Sequence, residues 1–136
     1  MQDIKIVIPG NPVTKKNSQR IVHIGYKCPT CKRGNKVVPL PSKAYETYEG
    51  LAGWYIRGYL RNLKINRPVN VKCIYWIEKD IDVDLANLLE ATNDMLVKHG
   101  VLEDDNRRIV ATHDGSRVFV DRENPRVEIT ISFYGS

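Results

Sequence analysis

Asp82, Asp84, Asp104 and Asp105 are the side chains of this sequence whose type and spacing best suit chemistry. Asp82 and Asp84 stand where a run of alternating apolar residues gives way to helical spacing, so both can project from one edge of a sheet. Asp84 also meets the positive end of the helix dipole. Asp104 and Asp105 follow directly after that helix has returned the chain. Two carboxylate pairs delivered in this way can converge, and clustered carboxylate oxygens are what Mg²⁺ or Mn²⁺ requires. Acids at element ends also serve as plain caps, so spacing alone leaves both readings open.

The charge distribution bears on the choice. The formal net charge is +5, yet residues 78 to 105 hold nine of the sixteen acids and only two bases, Lys79 and Lys98. The rest of the chain carries nineteen bases against seven acids. A basic body attracts phosphates, while a concentrated acidic segment can hold the cation that bridges protein and phosphate. A basic surface kept soluble by one acidic helix face would give the same count.

The elements that must position these residues are legible in outline. Ile4, Ile6 and Ile8 alternate up to Pro9-Gly10 and predict a strand over 3–8. Residues 11–41 show no sustained period and no acid, and carry Lys15, Lys16, Asn17 and Arg20 among other polar groups. They read as a long basic loop suited to phosphate contact. Ser42 is a candidate N-cap for a helix to about Leu63, with Tyr45, Tyr48, Ala52, Tyr55, Ile56, Tyr59 and Leu63 on one face. Gly50, Gly53 and Gly58 weaken it by about 1 kcal/mol each relative to alanine, so packing must hold it. Arg57 and Arg61 lie on its basic face, a second candidate DNA contact. Val69, Val71, Cys73, Tyr75 and Ile77 predict a strand entering the acidic segment. A helix from about Asp84 to Gly100 follows, with Leu85, Leu88, Leu89, Thr92 and Leu96 inward. Residues 107–113 predict a strand, Asp114-Gly115 a turn or ragged hairpin, and 127–133 the clearest strand of all. The order β-α-β-α-β-β predicts a single α+β domain over residues 1–136, with two main helices on a mixed sheet of about four strands. No apolar run approaches the ~18 residues that span a bilayer, and the first residues lack the order of a signal peptide, so a soluble, cytoplasmic protein with no membrane partner is expected.

The run Asp82-Val-Asp84-Leu-Ala-Asn87, continuing through Asp94 and Gly100 to Asp104-Asp105, resembles the signature of the RusA family of Holliday junction resolvases. In that family an Asp-x-Asp-Asn opens a helix, an Asp-Ala-Leu-like segment leads to a glycine, and an Asp-Asp pair follows. Pro9-Gly10-Asn11-Pro12, with Lys16-Asn17 after it, is similar to the family's start. The resemblance implies a homodimer that binds four-way DNA junctions in recombination and repair and makes paired, Mg²⁺- or Mn²⁺-dependent nicks. It implies that Asp84, Asp105 and an acid at position 86 hold a cation whose bound water attacks the phosphodiester in line, with Asp104 and Asn87 orienting ligands or water.

Two positions depart from the family. Aligned on Asn87 and Asp104-Asp105, the second family aspartate falls on Ala86, which offers no ligand. Asp82 can substitute from upstream, the chain can be a natural inactive variant, or it can be a form in which a native aspartate has been replaced by alanine. The confinement of the loss to one position favours the last. Glu90 stands where the family often has a lysine thought to help catalysis. The competing expectation is a branched-DNA-binding protein without catalysis.

Cys28-Pro-Thr-Cys31 resembles half of a zinc ribbon. Structural Zn²⁺, free thiols and a disulfide are all open for it, with His23 and Cys73 as further candidate ligands and a second knuckle across a dimer as another route to four thiolates. Such a pair is suited to zinc rather than to the hard cation of phosphodiester cleavage. His99 and His113 are expected to be structural.

Overall fold

The computed structural model describes residues 3–14, 19–27, 34–41, 43–60 and 62–134, with the backbone alone described for 19–27, 34–41 and 59. In chain order the elements are β1 (Ile4–Pro9), β2 (Gln19–Lys27), β3 (Gly34–Pro41), α1 (Lys43–Tyr59), β4 (Val69–Ile77), α2 (Leu85–Lys98), β5 (Val110–Thr112), β6 (Arg117–Val120) and β7 (Arg126–Phe133). The fold is α+β: a mixed five-stranded sheet with two helices, plus a two-stranded ribbon.

β4 is the axis of the sheet because its alternation is complete. Val69, Val71, Cys73, Tyr75 and Ile77 are buried, and the residues between them are half-buried. β7 pairs antiparallel to one side of it, and β1 pairs antiparallel to β7. Both helices pack on the same face: Tyr48, Ala52 and Ile56 of α1 and Leu88, Met95 and Leu96 of α2 share one core with Ile6, Ile8, Val71, Tyr75, Val127 and Ile129. Inside this core the Tyr75 hydroxyl meets Thr92 Oγ1 at 2.6 Å, and Thr92 donates on to the Leu88 carbonyl at 2.9 Å. No buried hydroxyl of this relay lacks a partner, as burial demands.

Three expectations are corrected. Residues 11–41 are not one loop, since β2 and β3 form an antiparallel pair within them. The ribbon is separate from the main sheet, so nothing imposes apolar alternation on it. Its only cue is the β-branched content of Ile21-Val22 and Val37-Val38. The turn at Asp114-Gly115 does not close a hairpin: β5 and β6 both pair parallel to β4, one after the other along the same edge. Asn70 fills the join. Its Oδ1 accepts from Thr112 Oγ1 and the Asp114 N–H, while its Nδ2 donates to the Asp114 carbonyl. Finally, α1 stops at Tyr59, and Leu63 is exposed beside Asn62 and Lys64, both at positive φ.

One glycine of α1 has a packing role. A Cβ on Gly53 would lie 2.4 Å from His99 Cε1, so the His99 ring at the end of α2 occupies the space a side chain there would need.

Candidate active site

Asp84 is the N-cap of α2. Its backbone is extended (φ −88°, ψ 113°), and its Oδ1 accepts the Ala86 N–H at 2.9 Å, satisfying one of the donors that a helix start leaves free. Asp82 and Ala86 are exposed on either side of it, and Asn87 is half-buried. Glu90 is exposed one helical turn beyond Ala86.

At the far end of α2, His99 caps the helix and Gly100, at φ +80°, turns the chain. A strap then fixes the return. Lys64 and Ile65 donate to the carbonyls of Gly100 and Val101, and the Glu103 N–H donates back to Ile65. Asp104 is thereby held with both oxygens engaged, Oδ1 by the Asp105 N–H at 2.8 Å and Oδ2 by the Asn106 amide at 3.1 Å. Those hydrogen bonds, the Asp105 amide first, hold its carboxyl below the usual carboxylate range. Asp105 is pushed the other way, chiefly by desolvation, then by Asp104, with the charge of Asp94 adding to the effect. The raised carboxyl of Asp105 beside Asp104 and Asp94 marks a place where negative charge is crowded. The sequence reading missed the part played by Asp94, although it lies inside the motif.

A groove of about 450 Å³ flanks Asp82, lined on one side by Ile81, Val83 and Leu88 and on the other by Asn11, Pro12, Val13 and buried Thr14. Asn11 ties the two sides together, since its Oδ1 accepts the Glu78 N–H at 2.9 Å. Asn11 entered the sequence reading only as part of the Pro9-Gly10-Asn11-Pro12 resemblance, and Thr14 not at all. Lys15, Lys16, Asn17, Cys28, Cys31 and Arg61 lie outside the described residues, as does the side chain of Arg20. Arg57, proposed for DNA, is exposed, and its Nη1 donates to His99 Nδ1 at 2.9 Å. His113 is held by protein on both nitrogens: Nδ1 donates to the Val71 carbonyl and Nε2 accepts from Asn93. Cys73, weighed as a zinc ligand, is fully buried in β4, where desolvation pushes its thiol up to about 12.

Residues 9–132 match the family described as Endodeoxyribonuclease RusA. The chain belongs to the RusA family. No curated protein matches it significantly. RusA members are nucleases that act on DNA, and the segment from Asp84 to Asp105 falls within the matched span. RusA membership also implies a divalent cation, and the donor set can be tested against that. Asp84 has one oxygen committed to capping and Asp104 has both engaged, and among the described residues no three histidine, cysteine, aspartate or glutamate side chains gather as a metal site. Among the described residues, the carboxylates as placed do not gather into a three-ligand site for that cation.

Proposed function

We propose that this RusA-family chain binds branched DNA, four-way junctions above all, as a two-fold dimer, and that its phosphodiester-cleaving centre is one carboxylate short at position 86. The observation carrying this reading is the placement of Ala86. It is exposed in the first turn of α2, and its N–H is held by the family's first aspartate, Asp84. On the alignment to the family signature, position 86 is where the second aspartate is expected. An aspartate there would join Asp84 and Asp105 in an all-carboxylate set of the kind that suits Mg²⁺ or Mn²⁺. Two-fold symmetry would present two such centres to symmetry-related strands, which paired nicks require. Thr14, which precedes Lys15 and Lys16 in the sequence, lines the same groove as Asp82, which supports a phosphate-contacting role for the two lysines.

The test compares the chain with its Ala86→Asp form on a labelled four-way junction with Mg²⁺. Cleavage by the variant alone, accompanied by a Mn²⁺-dependent rise in Tm that the parent lacks, is expected. Cleavage by both would show that Asp82 or another acid already completes the site. Cleavage by neither overturns the nuclease reading and leaves a non-catalytic junction-binding protein, the reading that the incomplete donor set favours.

A further inference from the structure

The sheet face turned away from both helices carries a row of rings and guanidinium groups. Trp76 of β4 is paired with Phe119 of β6 and with Arg126 of β7. The Trp76 and Phe119 rings stack at 5.8 Å with 27° between their planes. Arg126 lies 3.9 Å over the Trp76 ring, and Arg117 lies 5.1 Å over that of Phe119. Arg126 is already neutralised, by Asp121 at 3.1 Å and Glu128 at 2.9 Å. Arg117 is exposed and has no carboxylate partner among the described residues. Phe119 remains 39% exposed on this face.

We infer that this row is a second DNA contact, in which Arg117 takes a backbone phosphate and Phe119 stacks on an unpaired base at the branch. Stacking platforms edged by cations are how proteins hold single-stranded nucleic acid. The row is also close in sequence to the candidate active site. Glu78, whose N–H Asn11 holds, is two residues beyond Trp76, and Asp82 is six residues beyond it. Six residues span no more than about 22 Å, the rise of about six base pairs on one strand, so one DNA branch can touch both. A second copy of the chain fits the row less well, because an isologous interface centred on the row would bring Arg117 up against its own symmetry mate.

This inference rests on the DNA-binding reading above, and its test keeps the two apart. A Trp54→Phe background makes Trp76 the only tryptophan reporter. Titration with a junction carrying a short unpaired stretch, and with oligo-dT, should quench that fluorescence. Phe119→Ala should weaken binding of both by about tenfold, and Phe119→Tyr should restore it. Arg117→Ala should lower the slope of log K against log salt by about one, with far-UV circular dichroism unchanged. Failure of the unsubstituted chain to bind DNA at all would remove the DNA reading itself. Binding that persists undiminished in Phe119→Ala and Arg117→Ala overturns only the second contact. Conversion of a dimer to monomer by Phe119→Ala, seen in sedimentation with DNA affinity intact, would assign the row to self-association instead.

Discussion

Asp84 carries two duties that a pair of substitutions can separate. Its Oδ1 closes the head of α2 on the Ala86 N–H, and its negative charge sits at the positive end of the helix. Loss of the cap costs about 1 kcal/mol and loss of the favourable dipole contact about 0.5 kcal/mol. Asp84→Ala removes both, about 1.5 kcal/mol, which for a chain of this size lowers Tm by roughly 6 °C. Asp84→Asn keeps an equally good capping oxygen and loses only the charge, so a fall of roughly 2 °C is expected. Activity should rank differently. In the Ala86→Asp background both substitutions should reduce junction cleavage by about a hundredfold or more, because an amide is a poor substitute for an anionic ligand. Urea or thermal melts give the first comparison and a gel-based nicking assay the second. Equal destabilisation by asparagine and alanine would refute the capping account. Full cleavage by Asp84→Asn in that background would mean that Asp84 is a cap and nothing more.

Two further outcomes follow from groups near α2. Asp105, whose carboxyl is raised, ionises at a cost to the fold as pH rises through the carboxylate range, so Asp105→Asn should gain Tm relative to the parent between acid and neutral pH; Asp104, held low by its hydrogen bonds, contributes stability that is lost as pH falls, so Asp104→Asn should show the opposite trend in the same thermal melts. Gly53→Ala should push the His99 ring off α1 and break its bond from Arg57; an NMR titration of the His99 ring should then find its pKa, now lowered chiefly by burial and next by Arg57, moving back up, and an unchanged low value would contradict the crowding seen at Gly53.

The two elements that frame the acids were legible in the sequence for a simple reason: each has one face in the core and one outside it. β4 alternates without a fault, and α2 keeps Leu88, Thr92 and Leu96 inward over its whole length. Where that asymmetry is missing the reading failed. β2 and β3 belong to a ribbon outside the main sheet, and β5 and β6 are too short to establish a period. The join between β5 and β6 is held by the side chain of Asn70, which no local pattern announces. The candidate site was readable as a set of residues but not as an arrangement. Nothing in the order of Asp104 and Asp105 says that the first accepts a local N–H on each oxygen while the carboxyl of the second is raised beside other acids. Nor does any spacing reveal that Asn11, sixty-seven residues away, pins the start of the acidic segment.

The division of β4's outer edge into two strands also governs how the protein behaves when crowded. Unpaired edges are templates for other chains, and the risk grows with their length and flatness. Here the border consists of three residues in β5 and four in β6, interrupted at Asp114-Gly115, where Gly115 takes a positive φ that a continuing strand would not adopt. A foreign strand laid against this side would lose its register within a few residues. The opposite border, β1, is six residues long, bears an exposed Lys5 and ends on a proline that has no N–H to offer. Both borders of the sheet are thus poor templates for a further strand.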